Sequence, residues 1–284
     1  MINWLLVIKI VNMKKALVGL SNNVGVNINK IKVWSKSFKK HSDGDVILLC
    51  ANSTEPEIKL CEELGIIPIP VVVDDLWYIN NKRLKNTLDF LKTTDIELFI
   101  ITDVFDVVFQ SDPFLKMDLN YDIFVGSEGL KLSQEPWNSD VIKKVFPDEL
   151  LKCINEDIIC SGVIGGKRDS LIKLYERLDY MCENSLNGHN IKDQAALIIM
   201  VANDEIDNLK IFEVSDGWTL HCAVGGPTQF FDSWGFRSSL TQKYGGIANM
   251  KNGEIFTHTD LKYDIVHQFN RIPEWNEVLT KKYE

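Results

Sequence analysis

In the stretch ELFIITDVFDVVFQSDPF, residues 97–114, an apolar run ends at Asp103, a second carboxylate follows at Asp106, and the chain turns at Asp112-Pro113. Two readings are open. In one, Asp103 caps the following turn, Asp106 is a solvated loop residue and SDPF is an ordinary turn with proline in its second position. In the other, the pair holds a divalent cation. Carboxylate oxygens are hard ligands that suit Mn²⁺ or Mg²⁺, which take one or two of them and complete their shells with substrate phosphates and water. Such an ion would supply the local positive charge that an acidic chain needs to bind a diphosphate.

The rest of the chain does not supply that charge. Its 31 Lys and Arg stand against 40 Asp and Glu, a net charge of -9, so no electrostatic footprint for nucleic acid or an anionic membrane is visible. At 284 residues and 45% hydrophobic content it is long enough to bury a substantial core. The six cysteines, Cys50, Cys61, Cys153, Cys160, Cys182 and Cys222, show no Cys-x-x-Cys pair and no zinc-type spacing. They are expected to be reduced, buried thiols, which fits a reducing compartment and a cytoplasmic location.

The elements that must position the acids are legible as alternation. Short apolar runs (ALVGL, DVILLC, IIPIPVVV) alternate with helical-period segments through the first half, which predicts βαβ units and a mostly parallel sheet. In the first helix Ile31, Trp34 and Phe38 share a face. STEPEIKL opens the second with a Ser/Thr cap and an acidic first turn, and Gly65 closes it. Leu84, Leu88 and Leu91 mark a third helix before ELFIIT, which reads as a central strand. Ligands in open α/β sheets bind beyond the carboxyl ends of such strands, where Asp103 and Asp106 lie.

The second half is less regular. YDIFVGSEG reads as a strand, ICSGVIGGKRDSLIKLYERLDYMCE as a strand passing into a long helix, and KDQAALIIMVAND as another helix. Beyond residue 205 short strands, glycines and aromatics follow, ending at YDIVHQFNR. The start, MINWLLVIKIVNMKK, carries an apolar run too short to span a bilayer and lacks a secretory cleavage site. One compact domain over residues 13–284 is expected, with residues 1–12 an extension before Met13 and no membrane span.

The strand, the Asp-x-x-Asp spacing and the VVFQSDPF that follows resemble the metal-binding segment of GT-A-type, nucleotide-sugar-dependent glycosyltransferases, whose acidic "DxD-like" pair ends a strand. The resemblance extends over roughly Ala16–Arg271. CSGVIGGKRDSLIKLYERL is similar to the segment in which a Ser-Gly strand lines the sugar site, KDQAALIIM to the Asp-Gln helix start, and YDIVHQFNR to the C-terminal segment whose histidine completes the metal site. The extra residue between the acids is a departure: with Asp106 as the last acid, a strict motif would place an acid at Val104.

The resemblance implies a GT-A-like single domain in which Asp106 and His267 ligate Mn²⁺, or Mg²⁺ in its place, and Asp103 is a second ligand or ribose contact. It implies that Ser161, Gly162 and Gln194 line the donor site and that Asp193 serves the transferred sugar catalytically. The partners implied are a nucleotide-sugar donor, with a UDP-sugar as the default, and a carbohydrate, glycan or glycoprotein acceptor. Each residue also has a plain structural reading: His267 as a satisfied core histidine, Asp193 as a helix cap, Ser161-Gly162 as close strand-to-helix packing. An aspartate-nucleophile phosphotransferase would want Asp-x-Asp followed by Thr or Ser, and a nucleotidyltransferase a Gly-rich loop with lysine near the first strand; neither pattern is present. A binding protein of the same fold without activity is the remaining alternative.

Overall fold

The computed structural model describes residues 13–76, 79–227 and 235–284. The first half follows the alternation: β1 (Lys15–Asn22), α1 (Val24–Lys39), β2 (Asp45–Ala51), α2 (Glu55–Glu63), β3 (Ile67–Val71), α3 (Ile79–Thr93) and β4 (Leu98–Thr102). The local signals account for these elements. Ile31, Trp34 and Phe38 are all fully buried on one side of α1. Thr54 and Glu57 form a reciprocal capping box at the start of α2, and Gly65 adopts φ +67 after its end, a left-handed turn that glycine makes without a Cβ penalty.

The second half contributes β5 (Val107–Phe109), β6 (Ile123–Lys131), α4 (Pro136–Val145), the short α5 (Leu150–Cys153), β7 (Asp157–Lys167), α6 (Arg168–Glu183), α7 (Asp193–Ala202) and β8 (Leu209–Phe212). After these come β9 (Thr219–His221), the short α8 (Cys222–Gly225), α9 (Phe236–Tyr244), the hairpin β10 (Asn249–Lys251) and β11 (Glu254–Phe256), β12 (Ile265–His267) and α10 (Pro273–Tyr283).

Seven strands form the main sheet in the order β3-β2-β1-β4-β7-β6-β8. Neighbours run parallel except that β7 is antiparallel to both β4 and β6, so the predicted mostly parallel sheet holds with one reversed strand. Alternate residues of β1 enter opposite cores: Ala16 and Val18 pack on one face, Leu17 on the other. Burial on both faces is why these strands read as unbroken apolar runs.

A second, three-stranded sheet sits beyond the carboxyl end of β4. Its middle strand is β12, paired antiparallel to β5 and parallel to β9. Gln110, fully buried, pins this sheet to the hairpin: its Nε2 donates to the carbonyls of Ile255 at 3.0 Å and Tyr263 at 2.9 Å, and its Oε1 accepts from the Ile255 amide at 2.8 Å. Two other contacts shape the loop that leaves β4. Trp34 Nε1 donates to Thr102 Oγ1 at 2.9 Å, and a Cβ on Gly19 would stand 2.4 Å from Val104 Cγ2, so only glycine lets this loop cross β1 so closely.

All six cysteines are free and buried. Among the described residues, no helix is long and apolar enough to cross a membrane. The expected extension, residues 1–12, and residues 228–234 of the aromatic, glycine-rich segment lie outside the described residues.

Candidate active site

Backbone pairing brings distant residues together at the end of β4. Asp103 donates its amide to the Gly162 carbonyl at 2.9 Å, continuing the β4–β7 ladder one residue past Thr102 and Val163. On the other side, β12 is in register with β5 and β9 such that His267 lies opposite both Val107 and His221. The Gln268 amide donates to the Asp106 carbonyl at 2.7 Å. Gln268 itself has φ +56, a left-handed conformation that is uncommon for a residue with a side chain.

The three candidate ligands therefore converge. His267 Nε2 is 3.2 Å from Asp103 Oδ2 and 3.7 Å from Asp106 Oδ1, and one ligand atom from each of Asp103, Asp106 and His267 lies within 4.8 Å of the others. Two carboxylates and an imidazole at this separation are a donor set that fits Mn²⁺ or Mg²⁺ with room left for substrate oxygens. Asp103 is not spent on capping its turn; its side chain faces Arg83 and His267. Gly162 makes the convergence sterically possible, because a Cβ there would lie 2.2 Å from His267 Cε1 and 2.8 Å from Asp103 Oδ2.

Arg83, reaching in from α3, sits between the metal-candidate acids and the start of α7. One guanidinium nitrogen pairs with Asp103 Oδ1, and the other lies 2.5 Å from Asp193 Oδ2 and 3.4 Å from the Ser161 carbonyl. Asp193 is the first residue of α7, after the N-cap Lys192; at 1% exposure its side chain faces Arg83 and, at 3.3 Å, the Ser161 hydroxyl. Gln194 donates to Glu128 Oε1 and Asn138 Oδ1, both at 3.0 Å, and its own oxygen is 3.5 Å from the Ser161 amide. The sequence-predicted residues Asp103, Asp106, His267, Ser161, Gly162, Asp193 and Gln194 thus form one constellation.

Its electrostatics are those of a crowded acidic pocket. Burial favours a neutral Asp103, but Arg83 and His267 outweigh it and hold the carboxyl well below its ordinary range. Burial works against the His267 imidazolium, yet Cys160, Asp103 and Asp106 together raise it well above its usual value. Asp106 is raised by burial and by the Asp103 charge, against the pull of His267. Glu128, 1% exposed, is pushed up to about 8 by burial and by Glu135, whereas burial and the nearby His267 hold His221 well below its ordinary value. Glu128 Oε2 and His221 Nδ1 stand 3.3 Å apart, but among the described residues neither atom finds a hydrogen-bond partner, and neither does Asp193 Oδ1.

A cavity of about 470 Å³ opens over this constellation, lined by Arg83, Asp103, Glu128, Asp193, Gln194 and His267 among others. Its size is in the range of small-molecule ligand sites. Arg83, Glu128, Cys160 and His221 carry no sequence motif that assigns them here. Arg83 had one usable signal: it is one of five arginines in the chain, and a planar fork of donors is the group that serves two carboxylates at once.

No protein-family model matches the chain, and no curated protein matches it. Its likeness is to solved structures. The galactosyltransferase LgtC, solved with donor and acceptor sugar analogues, superposes with a TM-score of 0.57 at 11% identity, covering 94% of this chain and 95% of that one. An active-site Gln-to-Glu variant of LgtC gives a TM-score of 0.56 over the same shares at the same identity. The bifunctional glycosyltransferase WbbM, without ligand, gives 0.53 at 9% identity, with 90% of this chain covering 46% of that one. By these superpositions the chain has the mixed α/β fold of GT-A-type proteins.

Proposed function

We propose that the protein is a metal-dependent glycosyltransferase that moves a sugar from a nucleotide-diphosphate donor, a UDP-sugar by preference, to an acceptor hydroxyl on a carbohydrate, glycan or glycoprotein. The observation that carries the reading is the meeting of Asp103, Asp106 and His267 at the end of β4, beside a cavity large enough for a ligand, on a fold shared with LgtC and WbbM.

In this reading Asp103, Asp106 and His267 hold the cation, Mn²⁺ or Mg²⁺. When bound there, the ion would supply Lewis-acid charge stabilisation to the departing nucleoside diphosphate. Gly162 leaves the volume that the donor and the His267 ring share. Arg83 fixes Asp103 and Asp193 to one rigid fork, so the metal end and the sugar end of the site keep their separation. Asp193 Oδ1, buried and without a hydrogen-bond partner among the described residues, is an acceptor available to a hydroxyl of the transferred sugar. Ser161 and Gln194 orient Asp193 from the strand and from the helix. The glycosidic bond to phosphate opens, its electron pair leaves with the nucleoside diphosphate, a new bond forms to the acceptor oxygen, and the acceptor's hydroxyl proton passes to the departing diphosphate or to solvent.

The test is a thermal-shift panel of nucleotide sugars with and without Mn²⁺, since a ligand that binds the native state raises apparent stability. A shift that needs both the metal and one nucleotide is expected, together with loss of donor turnover in Asp106→Ala at unchanged fold. Undiminished transfer by Asp106→Ala overturns the reading.

A further inference from the structure

His267 has two ring nitrogens, and the structure gives each a different chemistry. Nε2 faces Asp103 at 3.2 Å. Nδ1 faces the Cys160 sulfur, also at 3.2 Å. On the Cys160 side His221 approaches as well, its ring centroid 4.9 Å from that of His267 in an edge-to-face arrangement. One ligand atom from each of Cys160, His221 and His267 lies within 4.8 Å of the others.

We propose that Cys160, His221 and His267 form a second metal site, selective for a thiophilic cation such as Zn²⁺, which shares His267 with the hard-cation site and competes with it. One sulfur and two imidazoles are the donor types that Zn²⁺ favours over oxygen-seeking Mn²⁺ or Mg²⁺. Three protein ligands leave a fourth tetrahedral position, and the cavity supplies the route to it, because His221 and His267 both line it. The cluster is otherwise sequestered: Cys160 is 1%, His267 2% and His221 8% exposed.

The neighbours of the cluster are those of a ligating set. Histidines that bind metals are oriented by a carboxylate on the other ring nitrogen. Asp103 Oδ2 occupies that position for His267, on the nitrogen opposite Cys160. Glu128 Oε2 stands 3.3 Å from His221 Nδ1, and both of these buried atoms lack a hydrogen bond among the described residues, a polar pair that a bound cation would organise. His267 therefore belongs to both sites: Nε2 faces the oxygen-lined set and Nδ1 the sulfur-lined set, either ion must displace the proton from the nitrogen it takes, and two cations on one imidazole oppose each other by charge. Binding at the second site releases the Cys160 thiol proton and the His267 Nδ1 proton to solvent, and no electron transfer is involved.

The experiment uses the full chain, stripped of metal and kept reduced with a phosphine, and titrates Co²⁺ while recording the absorption spectrum. A thiolate-to-Co²⁺ charge-transfer band in the near ultraviolet is expected at one equivalent and should be bleached by Zn²⁺. Cys160→Ser should lose the band, and His221→Ala should weaken the apparent affinity at least tenfold. Asp106→Asn, which impairs only the oxygen-lined site, should keep it. Absence of the band in the wild-type protein, or its survival in Cys160→Ser, overturns the proposal. Circular dichroism confirms that each variant is folded. Mn²⁺ binding, followed in parallel by electron paramagnetic resonance, separates the two sites. Zn²⁺ should release Mn²⁺ from the wild type and release less of it from Cys160→Ser; equal release from both overturns the competition. Failure of Mn²⁺ to bind at all would count against the glycosyltransferase reading while leaving the Co²⁺ result intact.

Discussion

The Gln268 amide donates to the Asp106 carbonyl at 2.7 Å, so the acidic loop after β4 and the histidine strand near the end of the sequence are joined by backbone. The geometry between Asp106 and His267 is therefore set by main-chain register, and side-chain rotamers only refine it. Perturbations near this junction should act on metal affinity before they act on the global fold.

Gly162→Ala is the sharpest such perturbation. Its methyl group would fall on His267 Cε1 and Asp103 Oδ2, and the strain of an overpacked site is about 1 to 3 kcal/mol. We expect Mn²⁺ affinity to fall by about tenfold or more, at 1.4 kcal/mol per decade, while circular dichroism stays native. Calorimetric titration with Mn²⁺ decides it; unchanged affinity would show that His267 and Asp103 do not act together on the ion.

Arg83→Met probes the acidic balance. The variant keeps an unbranched apolar stem but removes the guanidinium, leaving Asp193, 1% exposed, without its cation. Breaking one side of a buried pair costs about 3 to 5 kcal/mol. Urea denaturation should show a loss of that size, and added Mn²⁺ should recover part of it by neutralising Asp103.

Gln110→Leu tests how the small sheet is anchored. The substitution strips the Ile255 amide and the Tyr263 carbonyl of their Gln110 partner, while the Ile255 carbonyl keeps the Tyr263 amide at 3.1 Å, and each unsatisfied group costs about 1 to 3 kcal/mol. We expect a destabilisation of about 3 kcal/mol with a parallel loss of Mn²⁺ affinity. If stability falls and affinity does not, the hairpin is not what holds His267 in place.

Asp122 gives a pH test away from the site. It clips the start of β6 to β7 and β8 through Lys167 Nζ at 2.5 Å and Asn208 Nδ2 at 3.1 Å, and Lys167, against the opposing effect of burial, holds its carboxyl below the ordinary 3.8. A carboxyl depressed by folding stabilises the native state above its unfolded value and loses that contribution as pH falls through the folded one. Asp122→Asn should therefore cost about 1 kcal/mol at neutral pH, allowing for the partial exposure of the pair. The gap to wild type should close on acidification below about pH 4, as measured by urea unfolding across pH.

How much of this was legible in the sequence depends on the range of the signal. The helices of the first half announce themselves through Ile31, Trp34 and Phe38 or through the Thr54–Glu57 cap, because those patterns are local. The direction of β7 does not, since a strand buried on both faces reads the same whether its neighbours run with it or against it. Strands β5, β9 and β12 have three residues each, too short for alternation to register. The pairing of His267 with His221, and with it the Cys160 cluster, depends on their register alone. Arg83 was hidden for another reason: its helix is recognised by its leucines, and a long side chain leaves no periodic trace of where its end goes.

The middle position of β12 in the small sheet has a consequence for how the protein fails. Releasing that one strand would bare the edges of β5 and β9 and carry His267 away from both acids, while the seven-stranded sheet could stay intact. Such a sub-global opening lies below the global unfolding free energy. Amide hydrogens of residues 265–267 should therefore exchange ahead of those in β1 and β4, and heating should inactivate the protein before its helical signal declines.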